Sequence, residues 1–361
     1  MKFKVTEIGV SYKAPTKENI DKMADQVSKL CWERMKELYS NSDFAVNRLE
    51  SELLKMKETN TAFEFILLKE IAELSHEKGY PIMGEADLSS SFIAYLLGIT
   101  TFDPLLPLYR EKPPKEKYSL YADMVWTSLQ YPQKPDFSIL IAESVHPLLE
   151  QRLNEKFRYI EDTEESTSIL FVQADTACEN IGRLAKLTGE LPSLNQFDNE
   201  VYLPVIKNLA NSFKERLGEP FTKELNSITS CDFYTLTQIL GYIHGSFFQK
   251  RTIKNLYDPN FFTLRDEFFR ALLSCGIPND IAFDFVKHGV RSREAEREKY
   301  VRILEEYKVP QDLKDYFNNV ANLWPASACI SRLEVMCMLM WYKINYPKEF
   351  ASVYQNDLEV I

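Results

Sequence analysis

The sequence predicts an α+β protein, mostly helical, in which a small mixed β-sheet is followed by a largely helical half. Three observations carry this expectation. Apolar residues return every three to four positions along most of 17–78. Two short apolar, β-branched runs, PDFSILIA (135–142) and TSILFVQA (167–174), have the character of strands. From residue 176 onward the pattern is almost entirely helical, punctuated by Gly and Pro. The expected division is a mixed unit over 1–175 and a helical unit over 176–361.

In order along the chain, KENIDKMADQVSKLCWERMKELY and FAVNRLESELLKMKE read as amphipathic helices, and TAFEFILLKEIAELSHEKGY continues the pattern to a stop at Gly79. After a Ser-rich loop, SFIAYLLGI reads as a buried helix ending near Gly98. Residues 103–118, rich in Pro and Lys, read as an exposed connector, and HPLLEQRLNEKFRYI as a helical insert between the two strands. In the second half, breaks are expected near Gly189–Pro192, Pro204, Gly218–Pro220, Gly241–Gly245, Pro259, Gly276–Pro278, Pro310 and Pro325.

With 361 residues, 45% of them hydrophobic and 27% charged, the chain is long enough for two cores and is not a disordered composition. Six cysteines never form a Cys-x-x-Cys pair and no charged-then-apolar leader precedes them, which predicts a reduced, cytoplasmic protein without a zinc site. Cys329 and Cys337 fall on an apolar helical run and read as core. The longest apolar stretch, LEVMCMLMWYKI, is shorter than the roughly 20 residues that cross a bilayer, so no membrane partner is expected. A net charge of −10 opposes non-specific nucleic-acid binding. Two local exceptions are REKPPKEKY (110–118) and KHGVRSREAEREKYVR (287–302), and the second interleaves Glu with Arg in the manner of a salt-bridged face.

The stretch YPIMGEADLSSSFIAYLLGITTFDPLLPLY (80–109) has the frame of a phosphate-holding loop leading into a helix, but the charges inside it are Glu85 and Asp87. Together with RLESEL (48–53), PDFSILI, ILFVQADTACENIGRLAKLTGE, FYTLTQILGYIHG and the run from NNVANLWPASACISRLEVMC to the Tyr-Pro of KINYP, it resembles, in order, the C-family bacterial DNA polymerase III alpha subunit of the PolC type. The resemblance extends over about 35–355. It implies a palm-like, nucleotidyltransferase-like sheet in the first part and a fingers-like helical region in the second, with a context in DNA replication or a mobile element.

What the resemblance implies about the site is loss. Polymerases of this family use carboxylates to hold two Mg²⁺ ions for phosphoryl transfer. The positions matching two of those acids are Ser138 and Leu140, while Asp136 matches an acid that is not a ligand. The third acid is expected near Phe171–Gln173, where none stands; Asp175 follows in the turn. In the phosphate loop the family's Arg, Gly and Ser correspond to Glu85, Ala86 and Asp87. In the fingers helix its Lys and His correspond to Ala326 and Ala328, and an Arg to Met338. His244, Lys343, Asp136 and Asp175 are the remaining candidates for metal or nucleotide contact. Two carboxylates beside a bound triphosphate would each cost several kcal/mol at an effective dielectric of about 20.

No catalytic residue, metal or cofactor is therefore expected. The family's exonuclease, PHP, zinc-binding, thumb, clamp-binding and single-strand-binding parts find no counterpart in this sequence. The resulting reading is a catalytically inactive polymerase-like binding or regulatory module, for which any contact with DNA is weak, with a protein partner that the resemblance would place in the replication machinery. The alternatives are a DNA-binding module without catalysis and a diverged metal-dependent nucleotidyltransferase built on Glu85, Asp87 and Asp136. Asp87 with Ser89–Ser91 is expected to cap the helix that follows, an acid there favouring the helix dipole by about 0.3–1 kcal/mol.

Overall fold

The chain opens with a hairpin that helical periodicity does not announce. In FKVTEIGVSYKAP the apolar residues alternate, so that Phe3, Val10 and Tyr12 are buried while Lys4, Ser11 and Lys13 point the other way. The computed structural model describes residues 1–39, 42–105, 137–248, 252–258, 261–292 and 294–354. They form two compact units: one contains Met1–Leu105, the described residues on to Leu191, and those from Lys348; the other lies within Pro192–Pro347.

In the first unit the elements are β1 (Phe3–Thr6), β2 (Gly9–Pro15), α1 (Lys17–Tyr39), α2 (Asp43–Thr59), α3 (Ala62–Glu77), β3 (Met83–Ala86), α4 (Phe92–Leu96), β4 (Phe137–Ala142), α5 (Leu149–Lys156), β5 (Asp162–Asp175) and α6 (Thr176–Thr188). Five strands form one mixed sheet in the order β1-β2-β5-β4-β3. Strands β4 and β5 run parallel as neighbours, with Ser138 opposite Phe171, and the other pairings are antiparallel. The expected adjacency of the two apolar runs is thus observed, and their insert is helical.

One face of the sheet packs on α1, α2 and α3. Val10, Tyr12, Phe137, Ile139, Ile141, Leu170 and Val172 meet the buried stripe Met23, Val27, Cys31 and Met35 of α1 and the apolar face of α3 in one core. Burying a side chain of this size contributes about 1.5–3 kcal/mol. Phe3, Tyr12, Phe63 and Phe157 close one end of that core, with Tyr12 edge-on to Phe63 at 5.2 Å. The outer edge of β1 is sealed by α5: Phe3 N–H donates to Asn154 Oδ1 at 2.9 Å and Val5 N–H to Glu150 Oε2 at 3.0 Å. Those contacts occupy backbone groups that would otherwise invite another strand.

The second unit contains α7 (Asn199–Ser212), α8 (Lys214–Leu217), α9 (Glu219–Asn226), α10 (Phe233–His244), β6 (Ser246–Phe247), α11 (Arg265–Ser274), α12 (Asn279–Lys287), α13 (Glu294–Glu306), α14 (Gln311–Asn319), β7 (Val320–Asn322) and α15 (Ala326–Asn345). Strands β6 and β7 make a two-stranded ribbon. Helix α16 (Pro347–Val353) returns the chain to the first unit. Cys329 and Cys337 are fully buried, and burial pushes both thiols up. Within 287–302, Arg302 pairs with Glu298 and Lys299 with Asp284, the salt-bridged arrangement expected there.

Several boundaries differ from expectation. The first unit extends past 175, because α6 packs on β4 and belongs with the sheet. Pro204 does not break α7: Val201, Val205 and Leu209 bury one stripe of that helix across it. Tertiary packing there outweighs the one backbone hydrogen bond that Pro removes. The break expected near Gly241–Gly245 falls at Gly245, the C-cap of α10, while Gly241 lies inside the helix. A Cβ there would stand 2.4 Å from Leu264 Cδ2 and 2.8 Å from Thr263 O, so the glycine permits α10 to lie close to its neighbour. Residues 110–118 and Pro259 lie outside the described residues.

Candidate functional site

The positions singled out on the sheet share one row. Its register runs Thr6, Gly9, Phe171, Ser138 and Glu85, one residue from each of the five strands in spatial order. Because side chains alternate along a strand, this row lies on the face away from the helical core. Leu140 and Gln173 form the adjacent pair, and Met83 lies opposite Leu140. Phe171 and Ile169 are 43% and 51% exposed, so the face is apolar near its centre. Gly9 lets β2 approach β5 closely: a Cβ there would stand 2.2 Å from Leu170 O.

Glu85 is on β3 and not in a loop, which corrects the reading of 84–87 as a phosphate-holding turn. Its side chain has a partner. Ser138 Oγ donates to Glu85 Oε2 at 3.1 Å across the strands. Directly opposed residues of antiparallel strands have Cβ atoms about 4.5–5.5 Å apart, so a second carboxylate at 138 would repel Glu85, whereas a hydroxyl satisfies it. Ala86 ends the strand and Asp87 opens a short 3-10 turn, Asp87–Ser90.

The start of α4 is organised from a different element. Glu52, fully buried on α2, accepts hydrogen bonds from Phe92 N–H at 2.9 Å, Ile93 N–H at 3.1 Å and Ser91 Oγ at 3.0 Å. Arg48, one turn earlier on α2, donates from Nε to the same carboxylate at 2.5 Å and from Nη2 to Ser90 O at 2.8 Å. Ser91 is the N-cap and accepts from Ala94 N–H at 3.1 Å. Of the expected cap region, Asp87 with Ser89–Ser91, it is Ser91 that caps the helix, and the part given to Asp87 is corrected. Asp87 is a full turn too early, and the freed amides go to a carboxylate that arrives from 40 residues upstream. RLESEL carried that signal, but only as part of a resemblance.

Asp175 is the N-cap of α6, accepting from Cys178 N–H at 2.8 Å. Burial, and then the Asp175 carboxylate, hold the Cys178 thiol well above its ordinary range, so it stays protonated. Asp136 lies outside the described residues, and so does the relocated acid cluster that needs it. Among the described residues no group of three or more His, Cys, Asp or Glu is arranged to hold a metal ion.

In the second unit Ala326, at the first position of α15, donates its backbone N–H to the buried Asp266 Oδ2 at 2.6 Å. That helix start, too, is matched to an internal carboxylate. Ala328 follows in the first turn, Met338 is buried mid-helix, and Lys343 lies in the last turn. His244, at the end of α10, stacks on Trp324 with centroids 4.1 Å apart, and the Arg332 guanidinium lies over the same indole at 4.9 Å. Burial first, then the charges of Arg332 and Arg216, lower the His244 pKa from 6.5 to about 4. The unfolded chain thus takes up this proton before the folded one. His244 contributes no pH dependence above 6.5, and stability is lost as pH falls from there to about 4. Replacing it with Phe keeps a ring on Trp324 and removes the acceptor. The variant is expected to show a smaller fall in melting temperature between pH 7 and pH 4.5 than the unmodified protein; equal falls would assign the acid limb elsewhere.

The family comparison falls within the first unit. Residues 25–188, from within α1 to the end of α6, match the family described as the bacterial DNA polymerase III alpha NTPase domain. This segment is a DNA polymerase III alpha-like domain. Its similarity is to the PolC type. The chain is 32% identical over 92 residues to the DNA polymerase III PolC-type of Streptococcus sanguinis (strain SK36) and, to the same extent, to that of Streptococcus pneumoniae serotype 2 (strain D39 / NCTC 7466). It is 31% identical over 88 residues to that of Lactococcus lactis subsp. lactis (strain IL1403). These alignments cover 24–25% of this chain and only 5–6% of the relatives' lengths. No helix among the described residues is long and apolar enough to cross a membrane.

Proposed function

We propose that the chain is a polymerase-like binding module in which a palm-like sheet and a fingers-like helical region are retained without nucleotidyl transfer. The observation that supports this reading is the row Phe171, Ser138 and Glu85. By the resemblance, Ser138 and Phe171 stand where family members place metal-binding acids, and Glu85 where they place a phosphate-binding Arg. Here the Ser hydroxyl satisfies the Glu carboxylate, and an exposed Phe lies on the other side. Two-metal chemistry needs several hard oxygen ligands facing one point, with room for the triphosphate's negative charge. Among the described residues of this row the one carboxylate, hydrogen-bonded to Ser138 and separated by it from an aromatic ring, supplies neither. The polymerase family of the first unit favours a partner within the replication machinery.

Primer extension with the purified chain tests this. No template-directed incorporation is expected with Mg²⁺ or Mn²⁺, and calorimetric titration with a deoxynucleoside triphosphate is expected to show no binding tighter than millimolar. Incorporation that disappears in Asp136→Ala or Asp175→Ala would overturn the proposal and make those acids a relocated metal site.

A further inference from the structure

The outer side of α6 presents chemistry that the sheet face does not use. A cavity of about 480 Å³ opens between α6 and α16, lined by Arg183, Lys186, Leu187, Ser352 and Val353. All five belong to the first unit. Leu187 is 59% exposed and Leu191, just past the helix, is 53% exposed, so apolar surface continues beyond the rim. A large exposed Leu pair beside a concavity is a feature of interaction sites.

The two cations are held in place. Glu179, only 4% exposed, accepts from Ser144 N–H at 3.1 Å, Ser144 Oγ at 2.7 Å, Tyr80 Oη at 3.3 Å and Arg183 Nε at 3.1 Å. Burial pushes the Glu179 carboxyl up, but the Ser144 and Arg183 contacts outweigh it and keep the group ionised. Arg183 is held through Nε, and among the described residues its two terminal nitrogens are left to a second anion. The Lys186 ammonium lies 3.6 Å from the centre of the Tyr80 ring. That ring lies flush against α6 because residue 182 is Gly: a Cβ there would stand 2.1 Å from Tyr80 Cδ1. The result is two positioned positive groups at the mouth of an apolar hollow, in a chain whose net charge is −10.

We propose that this cavity binds an acidic segment of a partner protein that also carries aliphatic side chains. Its carboxylates meet Arg183 and Lys186, and an aliphatic side chain fills the space against Leu187 and Val353. The charge distribution selects this occupant. An acidic partner is repelled by the chain as a whole and attracted at this place, which fixes where it docks. The inference rests on α6 and α16 and stands whether or not the sheet face is catalytic.

The test uses the full chain and a fluorescein-labelled peptide, Glu-Leu-Asp-Leu-Val-Leu, followed by fluorescence anisotropy. Saturable binding with a dissociation constant below about 100 μM is expected, weakening as salt is raised. The double variant R183E/K186E and the single variant L187D are each expected to bind at least about tenfold more weakly, a loss of about 1.4 kcal/mol. All three positions are exposed, and circular dichroism with a melting curve checks that each variant is folded. A peptide with Ser in place of every Leu and Val is expected to lose at least as much. No saturable binding up to about 1 mM would overturn the proposal. So would equal binding by the charge-reversed protein, equal binding of the Ser peptide, or tighter binding of a single-stranded oligonucleotide at the same site.

Discussion

Replacing Glu52 with Ala is expected to destabilise the first unit by about 3–5 kcal/mol, the usual cost of removing one partner from a buried ion pair. The size of the effect follows from what is left behind. Arg48 is 7% exposed and would keep its charge without the carboxylate that Nε meets at 2.5 Å. The Phe92 and Ile93 amides at the start of α4 would also lose their acceptor in a place water does not reach. Gln at the same position keeps one carbonyl oxygen for an amide but not the charge, so E52Q is expected to fall between the unmodified protein and E52A. Calorimetry measures the loss, and amide hydrogen exchange locates it: Phe92 and Ile93 are expected to lose protection before the strands do. A loss under about 1 kcal/mol would mean that Arg48 finds another partner and that α4 is held by packing alone.

The second large effect is expected in the other unit. Glu267, 1% exposed on α11, accepts from Thr263 N–H at 2.8 Å and Leu264 N–H at 3.1 Å, closing the start of its own helix. Its other oxygen accepts from Tyr234 Oη at 2.9 Å and Gln238 Nε2 at 2.7 Å on α10. One side chain thus joins two helices. Glu267→Ala leaves four buried donors without this acceptor and is expected to cost about 3 kcal/mol or more, since unmet hydrogen bonds to charged groups lie at the upper end of the range. Tyr234→Phe removes only one donor and is expected to cost about 1 kcal/mol. Urea unfolding of both variants provides the check. Equal losses would show that the carboxylate acts through Tyr234 alone.

These two carboxylates show how unevenly the molecule could be read from its sequence. Helices α1, α2 and α3 were legible because each carries its apolar stripe within a few turns, and Gly79, with φ of 77°, marks the end of the third. Strand β4 and the second half of β5 were legible because PDFSILIA and TSILFVQA are short, apolar and β-branched, whereas the polar first half of β5, from Asp162, carries no such signal. The hairpin of β1 and β2 is not legible by helical period, which does not register the period of two that Val10 and Tyr12 show. Punctuation by Gly and Pro marks the end of α10 at Gly245 but not the continuity of α7 through Pro204, because it gives no account of the neighbours that hold that helix together.

By itself the sequence determined that this is a mostly helical α+β chain and that Ser138, Leu140, Phe171, Glu85 and Ala326 stand where the resemblance calls for other side chains. A residue type is local information. Only the tertiary structure decided what those side chains meet: that Ser138 lies between Phe171 and Glu85 and donates to Glu85, that Glu52 receives the first amides of α4, and that Asp266 receives the amide of Ala326. The physical reason is the range of the contacts. Strand register and a cap delivered from another helix join residues 33–60 positions apart. Such pairs are set by how whole elements pack, and no window of helical or strand period is long enough to contain them.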